Sequence, residues 1–184
     1  MSDSRDPFVE HTVSSELIFD GKVLRFFRDR VRRETEAGEW TREIVRHKGA
    51  VAVIAVTDEG KLLLERQFRY ALGQVLIELP AGKLDPGESP ETCAQRELIE
   101  ETGYRAGELK HLGAMHPAVG YSDERIELFL ARSLVHEGHA FDHGEYLEVI
   151  EMTLEEAEDA VLRGEITDAK TVTGLFWARK VLRG

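Results

Sequence analysis

The chain has 184 residues, 42% hydrophobic and 32% charged, with a formal net charge of -11. That length builds one domain, or one domain with a small appendage, and buries a core without covalent staples. The acidity excludes the basic face that nonspecific nucleic-acid binding needs, no apolar run approaches the roughly 20 residues that cross a bilayer, and the lone cysteine, Cys93, points to a reducing cytoplasm rather than a disulfide framework.

Met1 to Glu10 is charged, lacks the apolar centre of a secretory signal, and reads as a disordered lead. Glu16–Phe19 and Lys22–Phe27 flank Asp20-Gly21 and predict a β-hairpin. A third strand is expected over Trp40–Val45, so residues 1–47 form the lead and a small antiparallel three-stranded appendage, and 48–184 the main domain. Alone such a sheet buries little, which suggests that it leans on another surface. The apolar run Ala50–Val56 predicts a strand buried on both faces. Further strands are expected over Lys61–Gln67, Gln74–Leu79, Lys110–Met115, Arg125–Arg132 and Glu148–Met152. A helix over Pro90–Thr102 is marked by Ser89 as N-cap, Pro90 in its first turn and Gly103 at its end. Leu154–Arg163, capped by Thr153, and Asp168–Val181 predict two more helices, with Asp168 and Lys170 read as opening the last one. The order of elements gives an α+β fold, a mixed sheet with helices.

The chemistry gathers in one segment. Glu97, Glu100 and Glu101 fall within an arc of about 100° on the Pro90–Thr102 helix. Like charges at that spacing weaken a helix, and a solvated acidic face is the plain explanation. Two features outweigh it. Ala94 and Leu98 give the helix an apolar side that docks it, and a Gly- and Pro-shaped loop, Ala81–Gly87, leads into another acid, Glu88. Hard carboxylate oxygens clustered this way suit magnesium, with manganese as the alternative ion.

Gly82, five residues, Glu88, seven residues, then Arg96-Glu97-Leu98-Ile99-Glu100-Glu101-Thr102-Gly103-Tyr104 resembles the Nudix box, with aromatic Tyr104 where an aliphatic residue is usual. The resemblance extends from about Ser15 to the C-terminus. It implies the Nudix fold, a mixed β-sheet sandwich flanked by helices. It also implies metal ligation by Glu97, Glu101, Glu100 and the Ala81 carbonyl, with Glu88 in support and Arg96 holding a carboxylate in place.

Three segments outside the box resemble the ADP-ribose pyrophosphatase branch: Glu65–Tyr70, Ile77–Gly82 and Pro117–Glu124. That branch implies hydrolysis of ADP-ribose to AMP and ribose 5-phosphate by a cytoplasmic homodimer whose N-terminal sheets cross between subunits. The alternatives are a Nudix hydrolase of another nucleotide sugar or dinucleotide, such as GDP-mannose, and a non-catalytic Nudix-fold sensor. By the same resemblance Arg69 contacts substrate phosphate or ribose, Glu78 ribose hydroxyls, Phe19 the adenine, and Arg42 the nucleotide in the partner's site. The general base falls in 136–145, where Glu145, matching a loop carboxylate that serves metal or water, leads and Asp142 and His143 remain alternatives. His136, His139 and His143 match a zinc spacing only loosely. Cys93 reads as packing, and Trp40 and Trp177 as residues buried at element contacts.

Overall fold

The computed structural model describes residues 6–138 and 146–182, which divide into two compact units: the N-terminal segment to His47 with Ala118–Glu124, and the remainder. In the first, β1 (His11–Asp20), β2 (Arg25–Arg32) and β3 (Trp40–Arg46) form an antiparallel sheet in that order. The hairpin is longer than expected, pairing from Asp20 with Arg25 out to His11 with Arg32. Opposite charges face each other at Glu16 and Arg28, so the extension is carried by polar cross-strand pairs that hydropathy alternation does not register. Within the sheet, Asp29 is buried and accepts from Ser15 Oγ at 2.5 Å and Arg46 Nη2 at 3.0 Å. Segment 118–124 attaches to β3 where the Val45 N–H donates to the Tyr121 carbonyl at 2.7 Å.

The second unit contains β4 (Ala50–Val56), β5 (Leu62–Arg69), β6 (Gln74–Glu78), β7 (Ala81–Lys83), α1 (Pro90–Thr102), β8 (Tyr104–Met115), β9 (Ile126–His136), β10 (Leu147–Met152), α2 (Leu154–Leu162) and α3 (Ala169–Leu182). Its seven-stranded sheet runs β10-β5-β4-β9-β8, with β6 on β5 and β7 on β4; only β4 and β9 are parallel. All of β4 is buried, as its unbroken apolar run predicts. Val51, Val53, Leu63 and Phe129 pack on one face against Cys93, Ala94 and Leu98 of α1. On the other, Ile54, Leu62, Leu64 and Leu79 pack against α2 and α3. The mixed sheet between helices is therefore the expected α+β sandwich. Truncating Leu98 to alanine at this zero-exposure position would cost about 2–5 kcal/mol.

A fork in the sheet positions the site. β4 and β5 pair only at Ala55–Leu63 and Val56–Leu62 before separating. Beyond that point β5 pairs with β6, and β4 pairs with β7. The loop expected over Ala81–Gly87 thus begins as a strand, since three residues including a glycine are too short to show a period. β8 and β9 also outrun their expected bounds, pairing from Met115–Ile126 to Tyr104–His136. Trp40 and Trp177 are half-buried rather than enclosed.

Candidate active site

The acidic segment is built from α1 and the turn before it. Ser89 Oγ accepts from the Thr92 N–H at 3.2 Å, and Gly103, at φ 77°, closes the helix by donating to the Ile99 carbonyl. Cys93, Ala94 and Leu98 anchor the inner face, which fixes where the glutamates point. The turn is held by the Asp85 N–H, which donates to Glu88 Oε2 at 3.0 Å.

Arg96 is the hub of the outer half. Its Nε and Nη2 each donate to Glu88 at 2.9 Å, a bidentate pair, while Nη1 donates at 2.8 Å to both Glu97 and Glu100. The Arg96 guanidinium holds the Glu88 carboxyl down to about 2. In turn, the hydrogen bond to Glu88 and the neighbouring acids hold Arg96 firmly protonated, above its usual range. The expected role of Arg96, fixing carboxylates by charge-assisted hydrogen bonds, matches this geometry.

The inner half lies at the fork. Glu101 is 3% exposed and accepts from the Ala81 N–H at 2.8 Å. The Glu97 carboxyl presses on Gly82 so closely that a Cβ there would overlap it. This explains the glycine by contact, since its backbone is otherwise ordinary. Glu65, on β5, is fully buried and neither oxygen has a hydrogen-bond partner. Burial raises the Glu65 and Glu101 carboxyls above the ordinary carboxylate range; the neighbouring Glu65 pushes Glu101 further up, whereas Lys170 offsets part of the rise at Glu65. Beside them Glu78, 1% exposed, accepts from Arg69 Nε at 2.7 Å and Nη2 at 2.9 Å, and from Lys170 Nζ of α3. Burial works against the Glu78 charge, but Arg69 and Lys170 outweigh it and its carboxyl is lowered.

These residues suit a divalent cation. The donors are all carboxylate or carbonyl oxygens, and Glu65 brings two buried oxygens with nothing to donate to them. Among the described residues no three acidic, histidine or cysteine groups yet converge on one cation position. Arg96 sits between Glu88, Glu97 and Glu100 and engages all three. Glu97 and Glu100 share one nitrogen of Arg96, while Glu88 takes the other two donors.

The fold thus brings together Ala81, Glu88, Arg96, Glu97, Glu100 and Glu101, with Arg69 and Glu78 paired at the fork. Phe19 and Arg42 lie in the other unit. Phe19 is 61% exposed on β1 and is no core residue, while Arg42 is engaged by Glu10 through two hydrogen bonds of 2.9 and 2.5 Å. Glu145, Asp142, His143 and His139 lie outside the described residues, and His136 ends β9 with its ring against Tyr104 at 5.0 Å. Cys93 is buried and its thiol is pushed up to about 12, chiefly by burial, which agrees with a packing role. Two site residues went unread in the sequence. Glu65 carried a weak signal, an acid closing the apolar run Leu62–Leu64; Lys170, read as part of a helix start, carried none. Asp168 does cap α3, accepting from the Thr171 N–H at 2.9 Å.

The site thus sets a glutamate-lined helix, packed on one face of the mixed sheet, against a glycine-containing strand. The NUDIX domain family matches residues 46–174, and the chain belongs to that family of hydrolases. It is 47% identical over 165 residues to an ADP-ribose pyrophosphatase of Bacillus subtilis (strain 168), covering 88% of each chain. A methanol dehydrogenase activator of Bacillus methanolicus is 42% identical, covering 90% of each, and a GDP-mannose pyrophosphatase of Cronobacter sakazakii is 38% identical over 71% of this chain and 76% of its own. Among solved structures, one titled as an ADP compounds hydrolase superposes with a TM-score of 0.82 over 95% of both chains at 24% identity, a likeness of fold.

Proposed function

We propose that the chain is a magnesium-dependent pyrophosphatase that hydrolyses ADP-ribose to AMP and ribose 5-phosphate. The observation that carries this reading is the run of glutamates Glu88, Glu97, Glu100 and Glu101, ordered around Arg96 and set against Ala81 and Gly82. The choice of ADP-ribose is supported by the relative from Bacillus subtilis and by Arg69 and Glu78 at the fork.

Divalent ions held by Glu97, Glu100, Glu101 and the Ala81 carbonyl, with Glu88 in support, would neutralise the pyrophosphate oxygens and acidify a bound water. The chain's own residues then orient and restrain. Arg96 fixes Glu88 through two donors and limits how far Glu97 and Glu100 swing. Gly82 lets the Glu97 carboxyl lie on the backbone, and the Ala81 N–H holds one oxygen of Glu101. Arg69 offers a substrate phosphate the guanidinium nitrogen, Nη1, that Glu78 leaves unused. Glu78 itself does not fit the expected contact with ribose hydroxyls, since it is buried with both oxygens engaged; we assign it to holding Arg69. Glu145 is our candidate to take the proton of the attacking water. We further propose a cytoplasmic homodimer in which Phe19 stacks on adenine and Arg42, released from Glu10, meets the nucleotide in the partner's site. The exposed apolar row Leu17, Ile18 and Phe19 on β1 supports a covered surface there.

The test is a substrate series with magnesium: ADP-ribose, GDP-mannose, NADH and diadenosine polyphosphates, followed by release of monophosphate. The highest kcat/KM is expected for ADP-ribose. Equal or faster turnover of GDP-mannose would overturn the substrate assignment, and binding of ADP-ribose without turnover of any compound would favour a sensor.

A further inference from the structure

Lys170 is one of the few buried charges among the described residues, and helix capping does not account for it. Asp168 alone caps α3 through the Thr171 N–H and hydroxyl. The Lys170 side chain instead turns inward, 9% exposed, with Nζ on Glu78 Oε2 and 3.1 Å from Asp168 Oδ2. Its neighbours set that reach. Thr171 Oγ1 accepts from the Leu79 N–H at 2.9 Å, and Gly174 packs on Leu79 so tightly that a Cβ would overlap it. The helix is therefore pinned to the chain between β6 and β7, with Lys170 directed at the fork.

There Glu78 is clamped from two sides. Arg69 takes both oxygens in a planar pair from β5, and Lys170 closes on one of them from α3. Without Lys170, Glu78 would keep Arg69 alone of its two cations. The guanidinium would then be drawn inward, away from anything outside the fork.

We propose that Lys170 is a positioning residue for substrate binding: by closing on Glu78 from α3 it locks that carboxylate against Arg69 and fixes the guanidinium edge that receives a phosphate of the substrate. The inference rests on the reading of Arg69 as a substrate contact. Lys170 itself touches neither substrate nor metal.

The experiment is a double-mutant cycle on ADP-ribose, measuring kcat, KM and melting temperature for R69A, K170M, K170R and R69A/K170M. K170M is expected to raise KM about tenfold with kcat changed less than about threefold, the pattern of lost ground-state positioning. K170R, which restores a donor and a charge, is expected to recover KM to within about threefold of wild type. Because both act through one guanidinium, R69A/K170M should bind no more than about twofold worse than R69A alone. Should K170M melt below the assay temperature, K170Q takes its place, keeping a donor without the charge. A fall in kcat at unchanged KM, or R69A and K170M effects that multiply, would overturn the role of Lys170. R69A with a normal KM would overturn the reading of Arg69 and this proposal together, whereas a raised KM in R69A beside an unaffected K170M overturns the role of Lys170 alone.

Discussion

The site has two arginine clusters built on opposite plans. Around Arg96, three acids from one turn and one helix share a guanidinium, and every member falls within Glu88–Glu100. Around Glu78, one buried acid is shared by two cations, Arg69 from β5 and Lys170 from α3, 92 positions further along the chain. In the first cluster negative charge is in excess; in the second, Glu78 and Asp168 together balance Arg69 and Lys170. Excess charge marks where chemistry needs an ion, and balanced charge marks where the fold needs a fixed geometry.

Substitutions at the two clusters should separate accordingly. The largest effect is expected at Glu97 and Glu101: Gln at either position should lower kcat by about 10³-fold or more, removing a ligand and not merely an orienting contact. Melting should change little in either variant, since Gln keeps the side-chain shape and, at position 101, an oxygen that can accept from the Ala81 N–H. A variant that keeps near-normal turnover in magnesium would break the contrast. G82A comes next. A methyl that overlaps the Glu97 carboxyl must displace it, and a shift of about 1 Å can cost 10²-fold in rate. If G82A retains full activity, Glu97 is not confined as described.

How legible each cluster was in the sequence follows from the same difference. The Arg96 cluster lies on one helix and its leading turn, so residue spacing alone put Glu97 and Glu100 on one face, and capping signals at Ser89 and Gly103 gave the bounds of the helix. The Glu78 cluster forms only when β6 inserts at the fork and α3 pins to Leu79. No spacing rule reaches from Glu65 through Glu78 to Lys170. The strands were legible where apolar runs are unbroken, as in β4, and were underestimated where polar pairs carry the ladder, as in β1 and β2.

Two smaller effects sharpen the comparison. Glu88 has its carboxyl held at about 2 against an ordinary 4.5, so its contribution to stability is complete above about pH 4.5 and disappears as pH falls towards 2. Denaturation measured across that window should show a steeper acid loss in wild type than in E88Q; equal slopes would mean that the Arg96–Glu88 pair does not persist in solution. The least change is expected at Arg66, whose 2.5 Å pair with Glu148 is about half exposed on both sides. R66A should alter stability by less than about 1 kcal/mol and leave KM unchanged. A raised KM there would show that the charge requirement extends beyond Arg69 along β5.

The most direct test of the carboxylate site is calorimetric titration of manganese into the wild type, E97Q, E101Q and E91Q without substrate. Glu91 lies exposed in the first turn of α1 and controls for general acidity. Saturable binding is expected in the wild type and E91Q, weakened about tenfold or more in E97Q and E101Q. Binding in E97Q and E101Q indistinguishable from wild type would contradict the assignment of this helix as the cation-holding element.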